Sequence, residues 1–79
     1  MRLDKYLKVS RIIKRRTVAN DACDAGRAMV NGKTAKASTN VAVGDRIDIE
    51  FGNKNVSIEV TQVVESTKKE DAKEMFKYL

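Results

Sequence analysis

Val30-Asn31-Gly32-Lys33 constrains this chain more than any other stretch. Asn-Gly between two extended segments is the strongest short hairpin signal, because a two-residue type I′ turn needs φ > 0 at both central positions. The residues from Arg27 to Lys36 therefore read as a hairpin, with Lys33 at its tip and Lys36 on the same returning strand. Whatever precedes and follows must pack around that hairpin.

Before it the hydrophobic period is helical. Leu3, Tyr6 and Leu7 fall at i, i+3 and i+4, with Lys5 and Lys8 on the opposite side, which predicts a first helix over residues 2 to 9. Ser10 and Arg11 form a turn, and the adjacent Ile12 and Ile13 gain most by burial, so they are expected to pin it to the core. Thr17 is a plausible N-cap for a second helix from Val18 to Ala25, with Val18, Ala22 and Ala25 as its inner stripe and Asn20 and Asp24 facing away. Gly26 stands where a left-handed C-cap is wanted. Two alanines on the inner stripe imply close approach of the two helices.

After the hairpin the period changes to two. Val41 to Asp45 is a turn, Ile47, Ile49 and Phe51 alternate with Arg46, Asp48 and Glu50, residues 52 to 55 form a second hairpin loop, and Val56, Ile58 and Val60 alternate in a strand running to about Val64. The acids of this sheet are expected to face solvent and to repel a phosphate backbone. Thr67 and Glu70 match a capping box, and Ala72, Met75, Phe76 and Leu79 follow at helical spacing, which predicts a third helix covering the sheet.

Charge is unevenly divided. Residues 1 to 36 carry ten Lys and Arg against three acids, the remainder six against eight, and the whole 79-residue chain has a net charge of +5. Such polarity suits a polyanion, most commonly nucleic acid, with an anionic membrane surface as the rival. The single cysteine, Cys23, excludes an internal disulfide framework and suits a reducing compartment; no apolar run approaches a membrane span, and the opening residues lack a signal-peptide core, so a cytoplasmic location is expected. With no histidine, no nucleophile beside a base and no Gly-rich phosphate loop, the chain reads as a binding protein, not an enzyme, without metal or cofactor.

Lys14, Arg15 and Arg16 stand directly before Thr17, where a helix N-terminus also presents unpaired N–H groups. Alone, such a trio could be solvated charge; cations on the first helix and on the hairpin tip add to the same region and favour a phosphate site. Aromatic residues make up only 5% of the chain, and Tyr6 and Phe51 fall on core faces, which argues for folded RNA over splayed single strands.

The ordered series Arg2-Leu3-Asp4-Lys5-Tyr6-Leu7, Ser10-Arg11, Lys14-Arg15-Arg16-Thr17, Gly26-Arg27 and Val30-Asn31-Gly32-Lys33 resembles the S4-type RNA-binding domain over residues 1 to about 51. Within that superfamily it is similar to the RqcP group, the Hsp-fifteen-related factors of bacterial ribosome-associated quality control. The resemblance implies an α+β, S4-like (alpha-L) fold, with two short N-terminal helices on a small, mainly antiparallel sheet. Residues 1 to 65 would form the S4-type domain and 66 to 79 a C-terminal helix on the same domain. Pattern and resemblance together give an RNA face of Arg2, Lys5, Lys8, Ser10, Arg11, Lys14, Arg15, Arg16, Thr17, Lys33 and Lys36. The partners implied by the resemblance are 23S rRNA of the large ribosomal subunit, peptidyl-tRNA and an RqcH-type tailing factor, for a protein acting as a monomer away from membranes.

Overall fold

In the computed structural model, which describes residues 1–65, 68 and 70–79 and only the backbone of Phe51, the apolar stripe of Leu3, Tyr6 and Leu7 folds as helix α1, Leu3–Val9. All three side chains are fully buried. Ser10 caps the helix, and Ile13 is buried with Ile12 packed against the core, so the turn is pinned as the isoleucine pair predicts.

Helix α2 spans Arg16–Asp24, beginning two residues earlier than the sequence predicts. Thr17 therefore lies inside the first turn and is not the N-cap; Arg15 holds that position with an extended backbone and no side-chain cap. The inner face differs as well. Ala19, Ala22 and Cys23 face the core, whereas Val18 is 48% exposed and Ala25 lies at the surface. The C-terminus closes as expected in a Schellman motif: Gly26 takes φ +80°, its N–H bonds the Cys23 carbonyl and that of Arg27 the Ala22 carbonyl.

Five antiparallel strands follow, β1 (Ala28–Val30), β2 (Lys33–Thr34), β3 (Arg46–Phe51), β4 (Lys54–Val60) and β5 (Phe76–Tyr78), in the order β2-β1-β3-β4-β5. Asn31 and Gly32 take φ 53° and 83°, the type I′ geometry expected of the pair. Strand β2 ends at Thr34, so Lys36 lies beyond the ladder and not on it. Ile47, Ile49, Ile58 and Val60 point into the core as their alternation predicts. The second hairpin is tighter than expected: Phe51 pairs with Lys54 across a two-residue turn, and β4 ends at Val60, short of Val64.

The C-terminal helix is corrected. The residues of its proposed cap lie partly outside the described residues, but Ala72–Met75 is a single 3-10 turn and Phe76–Tyr78 is strand β5, paired antiparallel with β4. Two causes favour the strand. An unpaired β4 would leave a row of open backbone groups at the sheet edge, and Phe76 and Tyr78 are aromatic residues suited to strands. Met75 is fully buried, and its carbonyl accepts hydrogen bonds from the Tyr6 hydroxyl at 2.7 Å and from the Thr61 and Gln62 N–H groups. Leu79, expected on an apolar stripe, is 60% exposed. Among the described residues, no helix is long and apolar enough to cross a membrane.

Candidate nucleic-acid interface

The first turns of α1 and α2 meet at one side chain. Asp4 lies three residues before Leu7 and so on the buried stripe of α1, and only 2% of its side chain reaches solvent. Its oxygens accept hydrogen bonds from Arg2 Nε and Nη2, both at 3.2 Å, from the Lys5 N–H at 2.8 Å and from Asn20 Nδ2 at 3.2 Å. Arg16 Nε stands 3.5 Å away as an ion pair. Burial by itself raises the pKa of this carboxyl, but the bonds from Asn20, Lys5 and Arg2 and the charge of Arg16 outweigh it and hold the group below its ordinary range.

This junction accounts for the early start of α2. Arg16 and Asn20 are four residues apart on one helix face and share the same carboxylate, and Asp24, the next residue of that stripe, accepts the Ala37 N–H at 3.2 Å. A tertiary tie thus replaces the side-chain cap. Of the polar pair read as facing away, Asp24 is exposed as expected and Asn20 is half-buried, and both also tie α2 to its neighbours, Asn20 to α1 and Asp24 to the segment after the hairpin.

Arg2, Asp4, Arg16, Thr17, Asn20 and Asp21 line an open groove of about 370 Å³. The predicted site residues distribute around it unevenly. Arg2 and Arg16 are roughly half exposed and face it together with Thr17. Lys36 joins this end of the molecule, since the next residue, Ala37, accepts the Asp4 N–H, and Leu3 bonds the Thr39 carbonyl. Arg15 is exposed at the N-cap, and Lys14 just before it. Lys8 and Arg11 are exposed at the far end of α1. Lys33 sits at the hairpin tip, whose Asn31 side chain bonds Asp45 and the Arg46 N–H.

Two of the predicted residues are differently employed. Ser10 is buried, and its hydroxyl donates to the Leu7 carbonyl, so it serves the turn and not the surface. Lys5 is half-buried and paired with Glu65 from the segment after β4, and the bond from Lys5 lowers the Glu65 pKa. Arg11 has φ +63°, a left-handed position at a helix end where glycine is favoured. An L-residue there costs about 1–2 kcal/mol, so its side chain is retained against the preference of the backbone.

Sequence reasoning missed Asp4 and Asn20. The signals were present: the position of Asp4 on the apolar stripe, and the four-residue spacing of Arg16 and Asn20. Cys23 is buried beneath the same seam, and burial, with the charges of Asp4 and Asp24, pushes its thiol up to about 11, which leaves it an inert core group. Among the described residues no cluster of His, Cys, Asp or Glu is placed to hold a metal ion. What the groove offers chemically is a pair of oriented guanidiniums, a hydroxyl and neighbouring lysine charge, a set suited to phosphate oxygens and ribose hydroxyls.

The family model described as S4 domain matches residues 1–47. A Streptococcus pneumoniae protein described as RQC P-site tRNA stabilizing factor is 57% identical over 79 residues, covering 100% of this chain and 90% of that protein. One of the same description from Bacillus subtilis is 51% identical, covering 100% and 92%. Among solved structures, the trimeric Heat Shock Protein 15 of Vibrio cholerae is similar with a TM-score of 0.92 at 26% identity, covering 100% of this chain and 81% of that one.

Proposed function

The chain belongs to the S4-domain family of RQC P-site tRNA stabilizing factors, and on that premise we propose that it is a non-enzymatic RNA-binding protein of ribosome-associated quality control. It binds 23S rRNA and the peptidyl-tRNA on obstructed large subunits, and by holding the tRNA it supports C-terminal alanine tailing of the stalled chain by an RqcH-type factor. The observation that carries the RNA-binding part is the groove between the helix starts, where Arg2 and Arg16 are held on one buried carboxylate with their outer edges free for a ligand.

The chemistry fits structured RNA. Guanidiniums recognise phosphate geometry with paired N–H donors where lysine offers a point charge. Tyr6 is buried with its hydroxyl on the Met75 carbonyl, and the exposed Tyr78 lies on β5, the edge strand of the sheet, so among the described residues the groove lining includes no aromatic platform of the kind that holds unstacked bases.

Sedimentation tests the reading. The protein is expected to travel with large subunits carrying peptidyl-tRNA in preference to translating ribosomes. If about four to six phosphates are neutralised, log affinity falls against log salt with a slope of about −3 to −5. Equal distribution over all particles, or a slope near zero, overturns the proposal. Displacement from RNA by anionic vesicles or duplex DNA at equal phosphate would replace it with a general polyanion binder.

A further inference from the structure

A carboxylate in a phosphate-binding groove weakens the potential that draws the ligand, so Asp4 is at first sight a liability there. Its surroundings point to a compensating role. It engages Arg2 along the Nε/Nη2 edge, which leaves Nη1 outside the pairing, and it stands against Nε of Arg16. The two arginines come from different elements, one from the residue before α1 and one from the first turn of α2, and the groove residues include no other charged group that bonds to both. Unrestrained, each would lose rotamer freedom on binding. Asn20 donates to Oδ2, the oxygen that Arg16 faces, and so helps to fix the orientation of the carboxylate.

We propose that Asp4 is a positioning residue for RNA binding, holding Arg2 and Arg16 as one preorganised pair that receives a single phosphate group of the RNA. This rests on the reading of the groove as an RNA surface and adds to it the order of parts: carboxylate beneath, guanidiniums above, phosphate outermost. The pair acts as a unit, so neither arginine delivers its full contribution without Asp4. The looser contact of Arg16, an ion pair and not a hydrogen bond, leaves it the more adjustable of the two.

Asp4→Asn separates positioning from charge. It removes a negative charge from the groove, so an account based on surface potential alone expects tighter binding to purified large ribosomal subunits, whereas positioning expects weaker binding, by roughly tenfold, the order of one lost charge-assisted hydrogen bond. In a double-mutant cycle, Arg16→Ala should cost much less in the Asp4→Asn background than in the wild type. Equal costs in both backgrounds, or tighter binding by Asp4→Asn, overturn the proposal. If neither Arg16→Ala nor Arg2→Ala weakens binding in the wild type, the RNA-surface reading itself falls, a different outcome from the loss of coupling. A readout on the unaltered protein guards against misfolding of the variant: the Nε–H group of Arg2, hydrogen-bonded to Asp4, should exchange with water more slowly than that of Arg15, and equal exchange of the two overturns the pairing.

Discussion

The chain contains the same local device twice, Arg2-Leu3-Asp4 at the start of α1 and Arg46-Ile47-Asp48 in β3, and the two copies do different things. In both, arginine grips the aspartate two residues on with Nε and Nη2, at 3.2 Å for each bond in the first and 3.1 and 3.3 Å in the second. The Asp4 side chain is 2% exposed and gathers donors from α2 as well, whereas that of Asp48 is 19% exposed and shares its charge with Ser57 across the β3–β4 ladder. The difference teaches that the Arg-x-Asp fork is not what builds a site. Burial of the carboxylate and the arrival of a second arginine from another element convert a surface ion pair into a junction.

The largest expected difference between the two copies is in binding. Arg16→Ala should weaken association with large subunits by roughly tenfold or more, the scale of a charge-assisted bond to a ligand, and Arg2→Ala somewhat less, both with the fold intact by circular dichroism. Arg46→Ala removes the same charge from the second copy and should stay within about the few tenths to 1 kcal/mol of an exposed pair. Lys54→Ala, at the far turn of the sheet, should change almost nothing. Equal losses for all four, measured at one salt concentration, would reduce the groove to diffuse charge. A loss for Arg46→Ala matching that of Arg2→Ala would instead extend the surface past Asn31 and the hairpin tip.

Much of this architecture was legible because its causes are local. Asn31-Gly32 needs only its own backbone preferences to turn, Gly26 only its freedom at φ +80°, and Ile47, Ile49, Ile58 and Val60 display their faces by alternation. What escaped depends on distant partners. Helix α2 is phased by Asp4, twelve residues before Arg16, and no capping preference within Arg15 to Val18 reveals that. Ala72, Met75 and Phe76 fit a helical stripe on paper, but β4 and the Tyr6 hydroxyl recruit them into a 3-10 turn and a strand. The candidate site shows the same division: its cations stood out by composition, while the carboxylate that organises them looked like one acid in a basic half.

Stability sharpens the comparison next. Asp4→Ala leaves Arg2, Asn20 and the Lys5 N–H without their acceptor in a part-buried seam and should cost about 1–3 kcal/mol in urea unfolding. Asp48→Ala strips a surface pair and one hydroxyl of theirs and should cost below about 1 kcal/mol. If the two cost the same, the junction between α1 and α2 is no more than another surface contact.

Acid provides the gentlest test, because protonation removes the charge but leaves an oxygen that still accepts hydrogen bonds. Both carboxyls lie below the ordinary range in the folded state: Asp48 chiefly through the Ser57 hydroxyl, against the opposing effect of burial and with help from Arg46; Asp4 because its donors outweigh its burial. A group depressed on folding contributes stability that is fully present above its unfolded value, near 3.9 for aspartate, and that is lost as pH falls through its folded value. Stability should therefore be insensitive to these two groups above about pH 5 and decline below about pH 4, by less than the corresponding alanine substitutions cost. The decline should be shallower in Asp4→Ala and in Asp48→Ala, each lacking one of the depressed groups. Arg16→Ala discriminates between them, since it removes a cation from Asp4 and touches nothing at Asp48: it should raise the pH at which the Asp4 carboxyl protonates, read from its side-chain carbon resonance, and leave that of Asp48 where it was. Movement of both resonances would mean that Arg16 acts through the general field of the basic half, and the contrast between a built junction and a surface pair would lose its physical basis.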